Sequence, residues 1–182
     1  MPAKPTESHP ARYVVLLRGV NVGGINITMA DLRKVLEEAG LTEVRTVLAS
    51  GNALVTSDRS AAQLRPVIEA ALRTAFGYEA WVQVLTVERI AAIVADYPFD
   101  TDEETHHPYV MFCADAPALA EVGGLADGVD PAVEQVRPGD GVVYWEAPKG
   151  SSTDTAFAKL TSRARYRSIL TTRNLRTLRK LI

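Results

Sequence analysis

The chain has 182 residues, of which 47% are hydrophobic, 23% charged and 7% aromatic, with a formal net charge of −2. That is enough apolar material for a packed interior, in one domain of moderate size or two small ones sharing a core, and there is no disorder signature. The single cysteine, Cys113, excludes an internal disulfide, a multi-thiolate metal site and a CxxC redox centre. No apolar run approaches the roughly 20 residues that cross a bilayer. Residues 1–11 are read as a disordered tail without the apolar stretch of a secretory signal, so a cytoplasmic protein with no membrane partner is expected.

Tyr13 to Leu17 is a continuous apolar run between Arg12 and Arg18, the pattern of a central strand buried on both faces. After a glycine-rich loop, Leu32, Val35, Leu36 and Ala39 share one helical face, with Arg33/Glu37 and Lys34/Glu38 paired on the other. Thr28 is the expected N-cap, Asp31 completes a capping box, and Gly40 ends the helix. Strands follow near Val44–Ala49 and Ala53–Thr56, joined by Gly51-Asn52 as a two-residue turn. A helix running to Phe76 carries Leu64, Ile68 and Leu72 in register. Pro66 is expected in its first turn, because a later proline removes a helical hydrogen bond. Ala80–Leu85 closes the unit as a strand. The order is β-α-β-β-α-β, a ferredoxin-like α+β arrangement over residues 12–85.

Residues 86–182 are expected to form a second, looser α+β half, an echo of the first. Thr86 caps a helix containing Val87, Ile90, Ile93 and Val94, and Tyr97-Pro98-Phe99 ends it. An acidic loop, Asp100–Pro108, leads to a strand at Tyr109–Cys113. A short helix spans Pro117–Leu125, and a hairpin pairs Val133–Val136 with Val142–Glu146 around Pro138-Gly139-Asp140-Gly141. Helices over Thr155–Arg165 and Leu175–Ile182 complete the half.

Charge is unevenly spread. From Thr155 onwards there is no acidic side chain and there are eight basic ones: Lys159, Arg163, Arg165, Arg167, Arg173, Arg176, Arg179 and Lys180. The preceding residues hold 12 basic against 22 acidic side chains, a net of −10. The basic end is either an anion or nucleic-acid site, or it is matched internally by Asp96, Asp100, Asp102, Glu103 and Glu104.

Three polar segments stand at element boundaries. In Arg18-Gly19-Val20-Asn21-Val22-Gly23-Gly24 the glycines and the asparagine allow successive N–H groups to turn inward as an anion nest, with Arg18 as a bidentate partner. The competing reading is a tight crossover, since the segment matches neither GxxxxGK[ST] nor GxGxxG. Ser50-Gly51-Asn52 is first of all turn chemistry, leaving its side chains available to a neighbouring pocket. Thr171-Thr172-Arg173-Asn174 is expected to open the last helix, where unpaired N–H groups favour an anion or where Asn174 is simply a cap.

Other features carry less. His106 and His107 diverge as sequence neighbours, so a solvated acidic loop is preferred over a metal site. Cys113 lies in an apolar strand and reads as a buried small hydrophobe. Ser151-Ser152-Thr153-Asp154 reads first as a turn and cap leading into the helix with Phe157 and Leu160, and second as a phosphate-touching loop. Trp81 and Trp145 read as core or interface anchors, and the first two central strands lack the exposed aromatics of an RNA-recognition fold.

Tyr13 to Gly24, then Leu48-Ala49-Ser50-Gly51-Asn52, then Thr171-Thr172-Arg173-Asn174 with Thr177 and Lys180-Leu181, resemble the bacterial family called domain of unknown function 1697 (DUF1697). The likeness runs from about Arg12 to Ile182 and implies a duplicated, ferredoxin-like α+β protein, with no established reaction or cofactor. Relatives usually carry Trp-Asn where this chain has Leu175-Arg176, and often a serine flanked by basic residues where it has Ser151-Ser152-Thr153-Asp154. The resemblance gives a reason to join the three segments into one cleft between the halves. That cleft would be lined by Arg18, Asn21, Gly23, Gly24, Ser50, Asn52, Thr172, Arg173, Asn174, Thr177 and Lys180.

Donors outnumber acceptors in this set, so the expected ligand is anionic, a nucleotide or other phosphate-containing small molecule. It contains no general base, which favours binding over catalysis. The alternatives are sequence-tolerant nucleic-acid binding through the basic end, and a non-catalytic interaction module whose motifs serve turns and caps. A monomer is expected, and no metal site.

Overall fold

The run Tyr13–Leu17 is buried along its whole length because it forms the inside of a sheet, with a hydrogen-bonded strand on either side. In the computed structural model, which describes residues 10–20, 26–166 and 168–182, the chain divides into two compact units, one ending at Val87 and the other beginning at Glu88. The first contains β1 (Ala11–Leu17), α1 (Met29–Glu38), β2 (Thr42–Thr46), β3 (Asn52–Ser57), α2 (Ala61–Phe76) and β4 (Val82–Thr86). Its four strands lie in the order β2-β3-β1-β4, every neighbour antiparallel. Alternate residues Tyr13, Val15 and Leu17 of β1 pack with Leu32 and Leu36 of α1 and Leu64, Ile68 and Leu72 of α2. Period 2 on the strand meets period 3.6 on the helices.

The helix ends follow local chemistry. Thr28 Oγ1 accepts the Asp31 N–H at 3.0 Å and donates to the Asp31 carboxylate at 2.6 Å, and Gly40 leaves the helix at φ +86°. Gly77 ends α2 in the same left-handed region, at φ +65°. The proline expectation is corrected. A capping box between Ser60 and Gln63 starts α2 at Ala61, which puts Pro66 inside the helix, beyond its first turn. Burial of Leu64, Ile68 and Leu72 holds the helix together across the hydrogen bond that Pro66 cannot make.

The second unit begins one residue into α3 (Val87–Ala95) and continues through β5 (His106–Cys113), α4 (Ala116–Gly124), β6 (Gln135–Pro138), β7 (Val142–Pro148), α5 (Ala156–Thr161), β8 (Leu170–Asn174) and α6 (Leu175–Leu178). From β5 to β8 the element order is again β-α-β-β-α-β. The sheet order β6-β7-β5-β8 matches the first sheet position for position, and all its pairs are antiparallel. The second half is therefore a topological copy of the first, closer than its weaker sequence pattern indicates. Among the described residues the protein has two four-stranded antiparallel sheets and six α-helices.

Two helices expected from the sequence are shorter in the structure. Thr171-Thr172-Arg173-Asn174 is not a helix start: it is strand, paired with Tyr109–Phe112 of β5. The β-branched threonines suit a pleated surface, and pairing with β5 satisfies their backbone. Asn174 then caps the four-residue α6, its Oδ1 accepting the Arg176 N–H at 2.8 Å.

The core of the second unit joins Met111, Cys113, Val143, Trp145 and Ala147 of the sheet to Ala118 and Val122 of α4 and Phe157 and Ala158 of α5. Inside it sits a carboxylate. Glu134, 2% exposed, accepts the Trp145 indole N–H at 2.9 Å and the Phe157 backbone N–H, in the first turn of α5, at 2.9 Å. The helix N-terminus favours the negative charge and the carboxylate satisfies both donors. On the opposite face of the sheet, the Tyr144 hydroxyl donates to the Ile93 carbonyl of α3 at 3.0 Å. Glu134→Ala leaves two buried donors without an acceptor and is expected to cost about 3 kcal/mol, read as a lower urea midpoint with an unchanged slope; a loss within error of zero would refute the staple.

Candidate functional site

The first two polar segments meet at one end of the first sheet. As β1 ends, the Leu17 N–H donates to the Gly51 carbonyl at 2.8 Å and the Arg18 N–H to the Trp81 carbonyl at 3.0 Å. Gly51 lies so close to this exit that a Cβ on it would stand 3.0 Å from Leu17 Cβ and 3.1 Å from Val20 Cγ2, and its φ is +72°. Glycine is required there on both counts. The Arg18 side chain is half-buried and Ser50 is exposed. Asn21, Gly23 and Gly24 lie outside the described residues.

The turn differs from the one expected. Asn52 is the first residue of β3 and is fully buried; the linking residues are Val47 to Gly51, with Leu48 to Gly51 forming the loop that Val47 and Asn52 close. Its Nδ2 donates to the Val47 carbonyl at 3.0 Å and to Ser50 Oγ at 2.9 Å, while the Val47 N–H donates to the Asn52 carbonyl at 2.9 Å. The positive φ expected of Asn52 is taken instead by Leu48, at +58°. Asn52 works as an internal pin of the loop, and that use of its amide explains its burial.

The third segment belongs to the second unit, on the edge strand β8. Its register sets Thr172 and Asn174 opposite Met111 and Tyr109, on the helix-packed face, and Thr171 and Arg173 opposite Phe112 and Val110, on the other. Arg173 is 9% exposed. Its Nη1 donates to Thr171 Oγ1 at 2.8 Å and to the Thr172 carbonyl at 2.9 Å, and burial pushes its guanidinium down to about 10. Asn174 is occupied as the cap, Thr177 is half-buried in α6, and Lys180 is exposed beyond it. Arg18, Ser50 and Asn52 thus stand in one unit, and Thr172, Arg173, Asn174, Thr177 and Lys180 in the other.

Of the two readings of the basic end, internal matching accounts for three arginines. Glu103, in the acidic loop, pairs with Arg176 and, at 2.8 Å, with Arg179. Arg165 reaches Glu121 at 3.3 Å. Lys159, Arg163 and Lys180 are exposed and form no ion pair among the described residues. Cys113 is buried, and desolvation pushes its thiol up to about 12, away from nucleophilic use. His106 Nδ1 lies 2.9 Å from Thr105 Oγ1. Among the described residues no three His, Cys, Asp or Glu side chains gather to hold a metal ion, and no helix is long and apolar enough to cross a membrane.

Two features had no signal in the one-dimensional pattern. Glu134 reads as a surface acid, and only the tertiary structure reveals its two buried donors. A groove of about 390 Å³, lined by Arg12, Glu43, Arg45, Leu54, Val55 and Thr56, includes none of the residues singled out from the sequence.

Comparison with known proteins places these observations. The family model described as "Protein of unknown function (DUF1697)" matches residues 11–144. Among solved structures, the conserved bacterial protein SP0830 from Streptococcus pneumoniae is similar with a TM-score of 0.79 and 27% identity, over 95% of this chain and 97% of that one. An unknown protein from Galdieria sulphuraria aligns over 91% of this chain and 98% of its own at 14% identity, with a TM-score of 0.28. No curated protein matches.

Asn52→Ala removes the pin of the Leu48–Gly51 loop and is expected to lower stability by about 1–2 kcal/mol in urea unfolding; an unchanged midpoint would contradict that role. Glu103 gives a pH signature. Arg179 and Arg176 hold its carboxyl below the ordinary value of 4.5, so the pairing stabilises the fold above that pH and is lost as pH falls through the lower folded value. Glu103→Gln should therefore flatten the acid limb of the stability profile while barely changing it below that limb. A limb of unchanged steepness would show that other groups carry it.

Proposed function

The chain belongs to the DUF1697 family, proteins of unknown function, and we propose that it binds a small anionic ligand, a nucleotide or phosphorylated metabolite, through the polar segments around Arg18 and Arg173. The observation that carries this reading is the state of Arg173. A guanidinium with 9% of its surface exposed, its Nη1 held by Thr171 Oγ1 and the Thr172 carbonyl, is fixed in orientation before any ligand arrives. A planar fork held in this way suits an oxyanion through charge-assisted hydrogen bonds.

Arg18, Ser50, Thr177 and Lys180 supply further donors, and Asn21, Gly23 and Gly24 join them on sequence grounds, while Thr172, whose side chain takes the other face of its strand from Arg173, contributes the carbonyl that holds the guanidinium. Asn52 and Asn174 support the ligand-facing segments and do not themselves reach the ligand, because their side chains are engaged in the turn and the cap. No carboxylate, imidazole or thiol in the set is free to act as a base, so the reading is of binding and not of catalysis. Ion pairing of Arg176 and Arg179 with Glu103 counts against the basic end as a track for nucleic-acid backbone.

The test is thermal unfolding with inorganic phosphate and with nucleoside mono-, di- and triphosphates. A ligand that prefers the folded state raises Tm with concentration. The rise should be weakened about tenfold or more in apparent affinity by Arg18→Gln and by Arg173→Lys, which keeps the charge and loses the planar fork. Equal shifts in the parent protein and both variants would overturn the proposal. A response to any polynucleotide that collapses with added salt would replace it by backbone binding.

A further inference from the structure

The opposite end of the first sheet carries a pair of arginines that none of the motifs contains. Register explains how they meet. Arg12 of β1 stands opposite Thr56 of β3, and Arg45 of β2 stands opposite Leu54 of the same strand. Side chains opposite one another share a face, and here it is the face turned away from the α1 and α2 core, which takes Tyr13, Val15, Val44 and Val55 instead. The groove of about 390 Å³ runs between these side chains. Leu54, 2% exposed, is its floor, while Arg12, Glu43 and Arg45 rise exposed around it.

Neither Arg12 nor Arg45 makes an ion pair or side-chain hydrogen bond among the described residues. Elsewhere in this unit arginines find acids: Arg33 pairs with Glu37, Arg65 with Glu69 and Arg73 with Glu79. Two guanidiniums without a carboxylate partner, converging on one concavity with an apolar floor, form a receptor for an oxyanion.

The strand carrying one of them is shaped for the purpose. Between Thr42 and Arg45 the pairing with β3 shifts, so that three steps along β2 face two along β3. Glu43, within this bulge, has φ +50°, a conformation that costs a side-chain-bearing residue free energy. The bulge aims the Glu43 carboxylate into the groove, where it accepts the Thr56 hydroxyl at 2.6 Å. A carboxylate beside two arginines disfavours a ligand charged along its whole length, such as a polyphosphate or a nucleic-acid strand. It suits a compact anion that carries a hydroxyl to donate.

We infer that this groove binds a small phosphate monoester, its phosphoryl oxygens held between Arg12 and Arg45, its hydroxylated body lying over Leu54 and donating to Glu43. Arg12 and Arg18 stand at opposite ends of β1, about 20 Å apart at the strand rise, so this site does not rest on the binding proposed at Arg18 and Arg173.

Isothermal titration calorimetry with glucose 6-phosphate, with inorganic phosphate and with glucose tests it. The ester is expected to bind more tightly than inorganic phosphate, with glucose silent. Arg12→Gln and Arg45→Gln should each weaken the ester about tenfold or more. Arg33→Gln, which removes an ion-paired arginine of the same unit, should leave the affinity unchanged, and the loss in the groove variants should appear equally when they are made in an Arg173→Lys background, which separates this site from the other. Both groove arginines are exposed, so unchanged urea midpoints for their variants will show that folding is intact. Absence of binding at millimolar ester, or equal affinity in the parent and the Arg12→Gln/Arg45→Gln double variant, would overturn the inference.

Discussion

A strand hydrogen-bonded on both sides has no edge, and of the four such strands two, one in each sheet, organise the rest of this protein. β1 and β5 each have antiparallel partners on both flanks. Their backbone polar groups are satisfied within the sheet, which lets Tyr13–Leu17 and Val110–Cys113 be apolar on both faces at once. With the centre occupied, each hairpin must lie on one side of it and the closing strand on the other. The crossover helices then cover one face of each sheet. The polar segments follow from the same constraint, since chain leaving a fully paired strand must turn at its end. The Arg18–Gly19 turn, the Leu48–Gly51 loop and the start of β4 collect there, joined by backbone hydrogen bonds from Leu17 and Arg18.

Much of the first unit is legible in the sequence because its signals are local. A five-residue apolar run, a Thr-to-Asp cap and glycines at Gly40 and Gly77 each depend on neighbours within a few residues. The DUF1697 motifs were equally local, and the family follows from them. The second unit is harder to read because its elements are short and its decisive contacts distant. Thr171–Asn174 satisfies helix-start chemistry and strand chemistry equally well, and only the presence of β5 beside it decides. Asn52 presents the same problem: a residue that tolerates positive φ in a turn is also an amide able to pin one, and the choice rests on Leu48 accepting the strained angle.

The candidate site is legible in part. Sequence order pointed to Arg18 and Ser50-Gly51-Asn52, and the structure brings those two segments into contact through Gly51 and Leu17. Their side-chain roles were not readable, because whether an asparagine faces a ligand or its own loop depends on atoms that no spacing rule specifies. Charge was legible as two open readings. An acid-free stretch of 28 residues fits a cationic surface or a set of arginines matched by the acidic loop, and Glu103, reaching across more than seventy positions to Arg176 and Arg179, decides for matching at those two. Linear charge runs record composition, whereas surface potential depends on partners.

The repeated strand order has a consequence for how the chain finds its native pairing. Two segments built on one wiring diagram compete for the same neighbours, so a nascent β3 has in β5 a plausible wrong host, and exchanged hairpins are the natural trap. The two hairpin turns are not interchangeable, however. One is closed by a buried amide and a left-handed leucine. In the other, a Cβ on Gly139 would lie 2.4 Å from the Tyr144 ring, so that aromatic can pack only over a bare backbone. The first turn also fits its host: Gly51 lies bare against Leu17 and Val20 and accepts the Leu17 N–H, so a β2–β3 hairpin set beside β5 loses a contact that only the end of β1 supplies.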